Sequence, residues 1–294
     1  MLLDNIKNKL KILIRNFRNH KNLFMKGEIP RTNILKNKNI IKAKQYPKIK
    51  NTNKNFVISS NNQKVLNSRF DEFGKMFSKF EQTNIFYFSH EERDSYMKSF
   101  WGNSEIFNIY LNSTFQQSKA DIFRYCFLFD NGGFWLDFKS TIKVNPSNLL
   151  DDQHKIVLLS STRIIEENKF TDLDPKIKNL LKSRYLTNWF IGSEKGNKFI
   201  ELIIENICKN KEKYENIVFK DPKNAILEFT GPINVTNSLI QYLNLDIDNF
   251  NHINLIDENE KNLVYTTEYS RNFSIFDNLT KTHYSSLKDK IILF

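Results

Sequence analysis

Apolar and polar positions follow two different rhythms along this chain. Leu3, Ile6, Leu10, Leu13 and Phe17 recur every three or four residues, which predicts a helix with a single apolar stripe. Lys7, Lys9, Lys11, Arg15 and Arg18 fill much of the remaining surface, so this helix either packs on its own domain or lies on anionic lipid headgroups. Residues 33–55 are crowded with Asn and Lys and read as a tether. Beyond them β-rich runs alternate with helical stretches. Asn55–Ser59 and Thr83–Ser89 read as strands, and 63–80 and 91–112 as helical. Strands separated by helices predict an α/β domain with a mostly parallel sheet flanked by helices, in which ligands bind beyond the carboxyl ends of the strands. The expected organisation is a basic helix and linker over 1–53, then one domain over 54–294.

The sharpest pattern lies between 115 and 140. Phe115–Asp130 contains neither Gly nor Pro and is apolar nearly all round after Asp121, which predicts a buried helix. Asn131-Gly132-Gly133 supplies residues that tolerate positive φ and ends it. A β-rich run follows, in which Phe134, Leu136 and Phe138 point one way and Trp135, Asp137 and Lys139 the other. Asp121 and Arg124, three apart on the helix, share a face. The glycine turn can fold that face and the strand's charged face toward one spot. Buried charges cost several kcal/mol unless paired or liganded. The three charges therefore form either a phosphate- or metal-binding site, or a buried Asp121–Arg124 ion pair beside a strand-end Asp that caps the next turn.

Composition narrows the function classes. Hydrophobic residues make up 40% of the 294, with 26 Phe and 11 Tyr, enough for a substantial core, so disorder across the whole chain is not expected. The formal charge of +11 points to an anionic partner: nucleic acid, a lipid surface or a nucleotide diphosphate. Basic residues do not interleave with aromatics in any recognisable module, so the aromatics are read as core and no nucleic acid is expected. Cys126 and Cys208 form no CxxC or Cys/His cluster, which fits a reducing compartment. No run approaches the roughly 18 apolar residues of a membrane span, and no secretory signal is evident. Cytoplasmic residence, peripheral on the inner membrane through the first helix, is the expectation.

Lys119 to Lys139, reading Lys-Ala-Asp-Ile-Phe-Arg-Tyr, then Asp-Asn-Gly-Gly-Phe-Trp-Leu-Asp-Phe-Lys, resembles the signature of glycosyltransferase family 32. It is similar also to bacterial capsular polysaccharide synthesis proteins and to the core of the large clostridial glucosylating toxins. The resemblance implies a GT-A-like fold with a Rossmann-like sheet. It implies a retaining hexosyltransferase that uses a UDP- or GDP-sugar donor and a glycan or lipid-linked glycan acceptor, in capsule or lipopolysaccharide biosynthesis. It places Asp121, Arg124 and Asp137 at the donor, with Arg124 and Asp137 catalytic and Asp137 as the first carboxylate of an Asp-x-Asp motif. Weaker agreement adds Ser59, His283 and Ser286 to the donor side, and Asn188, Trp189, Gly231 and Pro232 to the acceptor side.

This chain departs from the family at Lys139, which replaces the motif's second Asp. A Mn²⁺ or Mg²⁺ ion on Asp137 alone would bind weakly. Transfer then proceeds with such a metal, or with the Lys139 ammonium taking part of its role, or has been lost in a relative that only binds. The five histidines show no metal spacing. Asp151-Asp152 and the pair Asp246 and Asp248 read as loop or turn residues.

Overall fold

The computed structural model describes residues 54–59, 83–138, 140–142, 148–164, 173–257, 264–266 and 290–293. The predicted N-terminal helix, the tether as far as residue 53, the helix at 63–80, Lys139, His283 and Ser286 lie outside the described residues. The described residues fall within one compact unit, 41–294.

The expected α/β architecture is present: a central sheet with helices packed on it. Strands β1 (Lys54–Ser59), β2 (Thr83–Phe88) and β3 (Gly133–Leu136) run parallel, with β1 in the middle. Strand β7 (Phe190–Ser193) then joins β3 antiparallel and also pairs β5 (Ile156–Ile164). β6 (Arg184–Leu186) pairs β5 antiparallel, and β8 (Ile253–Asp257) pairs it parallel. A separate two-stranded ribbon joins β4 (Ser140–Ile142) to β9 (Val264–Thr266). Five of the seven strands, β1, β2, β3, β5 and β8, thus share one direction and only β6 and β7 oppose them, so the sheet is mostly parallel as expected. Strands β6 and β7 form one run joined through residues 187–189, and that run lies antiparallel to β5.

Helices α1 (His90–Trp101) and α2 (Glu105–Asn112) make up the helical stretch expected over 91–112. Gly102 ends α1, and Ser104 starts α2 by accepting the Phe107 N–H at 3.3 Å, a side-chain cap that competes with helix continuation. Helix α3 (Gln116–Asn131) is the predicted buried helix, with every residue from Asp121 to Leu128 inside. Later helices are α4 (Pro175–Leu181), α5 (Lys198–Asn210), α6 (Pro222–Phe229) and α7 (Pro232–Leu245). Among the described residues no helix is long and apolar enough to cross a membrane.

The strand alternation sorts the core. Phe56, Phe134 and Phe190 stack in succession across β1, β3 and β7, with centroids 5.0 and 5.7 Å apart, in a cluster that includes Leu136 and touches Phe138. Trp135 faces α3 instead, its ring 6.0 Å from Phe123. Gly132 makes the reversal between α3 and β3. Its φ of 66° and ψ of −169° fall where essentially only glycine goes, and a Cβ there would stand 2.7 Å from the Lys195 nitrogen. Gly132→Ala is expected to lower stability by about 2 kcal/mol or more in urea unfolding. Wild-type stability would show that this turn does not fix how α3 meets β3.

Candidate functional site

The α3–β3 hairpin brings Asp121, Arg124 and Asp137 together. Arg124 Nη2 lies 3.0 Å from Asp137 Oδ1 and 3.4 Å from Asp121 Oδ1. Its Nη1 donates to the Asn188 carbonyl, and the guanidinium sits 4.6 Å over the Trp135 ring. Only 3% of Arg124 is exposed. A buried guanidinium is tolerated because carboxylates, a carbonyl and an aromatic face surround it.

Asp137 is the solvent-facing member, its side chain 41% exposed. Oδ1 accepts from Arg124 and, at 2.7 Å, from Trp135 Nε1, whereas Oδ2 meets no donor among the described residues. The Asp137 amide donates to the Trp189 carbonyl at 2.8 Å, which ties the end of β3 to the start of β7. Its main-chain carbonyl, not its carboxylate, closes the turn to Ser140 at 2.8 Å. The carboxylate is therefore left for the site.

Asp121 lies behind this pair and is 8% exposed. Oδ1 accepts from Asn188 Nδ2 at 2.9 Å, and Oδ2 from the Thr230 hydroxyl at 3.1 Å. Burial pushes its carboxyl up to about 7, with Asp137 adding to the rise and Arg124 the largest opposing influence. Tyr125 completes the support: its hydroxyl donates to the Thr230 carbonyl at 2.8 Å and accepts from Asn188 Nδ2 at 3.4 Å. Burial raises the Tyr125 phenol well above its ordinary range, so it stays a neutral donor.

The other expected residues take varied places. Ser59, at the end of β1, donates its hydroxyl to the Phe88 carbonyl at 3.0 Å. Asn188, expected on the acceptor side, reaches Asp121 with its side chain and Arg124 with its carbonyl. Gly231 and Pro232 open α7, next to Thr230. Trp189 is half-buried. Lys139, His283 and Ser286 lie outside the described residues. Thr230, Tyr125 and Trp135 hold the cluster although no role was predicted for them. Trp135 was findable, since strand alternation puts it on the Asp137 face.

Asp151 and Asp246 are loop and turn residues as expected. Each accepts main-chain N–H bonds from the residues that follow, at 2.9 and 2.6 Å for Asp151 and 2.9 Å for Asp246. Cys126 and Cys208 are free thiols, and burial pushes Cys208 up to about 11.

This chain is similar to the solved structure described as "PaToxG Glycosyltransferase", with 16% identity and a TM-score of 0.42 over 82% of this chain and 84% of that one. It is similar also to the ligand-free glycosyltransferase domain from the YGT toxin, with 10% identity and a TM-score of 0.36 over 71% of this chain and 58% of that one. No family model and no curated protein matches the sequence.

The cluster also bears on a metal. Among the described residues no group of three or more His, Cys, Asp and Glu gathers to hold one. Asp137 offers a single oxygen without a donor among the described residues, so a Mg²⁺ ion there would take its other ligands from substrate phosphates and water. The described residues therefore do not enclose a divalent ion on their own, and Asp137 could hold one only together with ligands from the substrate.

Proposed function

We propose that this protein is a glycosyltransferase that moves a hexose-type sugar from a UDP- or GDP-sugar to a glycan or lipid-linked glycan acceptor. The carrying observation is Asp137, held by Arg124 and Trp135 at the end of β3 with its second oxygen open to solvent. Strand ends of this kind are where α/β sheets bind ligands. The Lys119–Lys139 signature supports a GT-A-like, retaining enzyme resembling glycosyltransferase family 32, with capsule or lipopolysaccharide assembly as its setting. In this reading 54–294 form the catalytic domain, and residues 1–53 bring it to the inner membrane surface.

The roles follow from exposure. Arg124 is buried and committed to Asp137, Asp121 and Asn188, so it positions the site rather than meeting the diphosphate. Asp137 is the group that touches the donor, its open oxygen accepting from a sugar or ribose hydroxyl. The departing diphosphate needs a cation, and Lys139, two residues on, supplies it. No step is assigned to a bound metal.

The test is a thermal-shift panel of UDP- and GDP-sugars, with and without Mn²⁺. Selective stabilisation by one nucleotide class is the expected result, because a ligand that binds only the native state raises its melting point. A flat response to every sugar nucleotide would sink the assignment. A relative that binds without transferring is the second reading, favoured by the missing second carboxylate beside Asp137. Nucleotide release from the stabilising donor separates the two.

A further inference from the structure

The link between α5 and α6 turns its apolar residues two ways. Tyr214 and Phe219 stack with centroids 5.5 Å apart, and Tyr214 stacks on the buried Phe229 at 4.4 Å. Ile217 and Val218, between them in sequence, stay 41% and 53% exposed. The main chain here is pinned. Asn216, at a φ of 58°, donates its amide to the Ile292 carbonyl at 2.9 Å, and Val218 forms an antiparallel bridge with Lys290. A slack loop would fold two adjacent aliphatic side chains inward, whereas this one holds them out in water.

Lysines flank the pair. Lys213, Lys220 and Lys223 are exposed and form no ion pair among the described residues. Of the three carboxylates in the same stretch, Glu215 faces Lys211 at 4.0 Å and Asp221 accepts the Asn224 N–H at the start of α6 at 3.0 Å. Glu212 alone is left to oppose those lysines.

The loop sits at the same end of the molecule as the ionic cluster. Phe229, under Tyr214, precedes Thr230, whose hydroxyl donates to Asp121. Ile164, also exposed, stands at the carboxyl end of β5, which runs in the direction of β3 and so ends on the Asp137 side of the sheet. Leu245, the fourth large apolar side chain exposed among the described residues, lies at the far end of α7, roughly 20 Å along the helix from Pro232. Nucleic acid would satisfy the lysines but leave the aliphatic tip in water. An anionic lipid surface satisfies both, with headgroups for the ammonium ions and the acyl boundary for the tip.

We infer that the Ile217–Val218 loop inserts into an anionic lipid surface, with Lys213, Lys220 and Lys223 meeting the headgroups. This contact is additional to any made by the N-terminal segment, and it does not depend on the glycosyltransferase reading. It turns the end of the sheet that carries Asp137 toward the membrane.

The experiment places an environment-sensitive fluorophore on Val218→Cys in the full chain, with Cys208→Ser so that the buried Cys126 is the only other thiol. Vesicles of phosphatidylcholine alone, or mixed with phosphatidylglycerol, are then added. A blue shift with the mixed vesicles, reversed by salt and absent with phosphatidylcholine alone, is the expected result. The same label on Lys198→Cys, at the start of α5, should not shift. Changing Lys213, Lys220 and Lys223 together to Gln should raise the lipid concentration for half the shift by about tenfold or more. Ile217→Asp should abolish the shift, with the melting curve of each variant checking its fold. A silent label would overturn the proposal whether or not the protein binds vesicles through another segment. An equal shift with neutral vesicles, or none of the tenfold loss in the Gln variant, would overturn it as well. A label already blue-shifted without lipid would show the loop covered by protein and defeat the proposal, and loss of that shift on dilution would identify a second copy as the cover. Stabilisation by sugar nucleotides is measured separately, so the failure of either reading leaves the other standing.

Discussion

Asp137→Ala is expected to cut sugar transfer by about 10²–10³-fold while the protein remains folded. The side chain is 41% exposed, so little core is lost with it. Removing it deprives Trp135 Nε1 of its acceptor and leaves Arg124 with the Asp121 carboxylate at 3.4 Å and the Asn188 carbonyl. Losing those bonds should cost about 1–3 kcal/mol. Asp137→Asn separates two explanations of the lost activity. Its amide oxygen can still accept from Arg124 and Trp135, which preserves the cluster's geometry but not its charge. If Asp137 serves only to hold Arg124, the Asn variant works nearly as well as wild type. If its second oxygen meets the donor as a charged acceptor, the Asn variant loses most of what the Ala variant loses. Release of nucleotide diphosphate from the stabilising donor is the readout, with urea unfolding as the control. Full transfer by Asp137→Ala would remove this residue from the site.

The α3–β3 unit was legible because everything that builds it is local. An uninterrupted apolar helix containing Asp121 and Arg124 announces buried charge, and two glycines followed by an alternating strand say where the chain reverses. Thr230 was not legible as a partner of Asp121, since 109 positions separate them and a buried hydroxyl has no periodic signature. Tyr125 pairs with Thr230 across 105 positions, and its place in an apolar helix reads as ordinary packing. Asn188 is instructive in another way. The resemblance put it near the acceptor, but an amide donates and a carbonyl accepts, and here the same residue satisfies Asp121 with one and Arg124 with the other. Strand direction was legible in part: alternating strands and helices predicted the shared sense of β1, β2 and β3, whereas no residue of β6 or β7 marks that run as the one that opposes its neighbours.

Arg124→Leu should be the most damaging change to stability, and its cost should depend on pH. The leucine fills part of the space but leaves Asp121 buried without its cation, a loss of about 3–5 kcal/mol where the carboxylate is ionised. In the wild type the Asp121 carboxyl titrates near 7 when folded and near 3.8 when unfolded. Between those values the native state holds more protons than the unfolded chain, so this group's contribution makes stability fall as pH rises from about 4 to about 7, then level off. Arg124 is the largest influence holding that folded value down, so its removal pushes the carboxyl higher and extends the decline above pH 7. The penalty of Arg124→Leu is therefore expected to be modest at pH 5 and to grow toward its full size by pH 8 in urea unfolding. Adding Asp121→Asn removes the titrating group, and the double variant should lose this extra pH dependence. A penalty equal at pH 5 and pH 8 would mean that Asp121 does not depend on Arg124. The buried half of the site would then be an independent hydrogen-bonded core formed with Thr230 and Asn188.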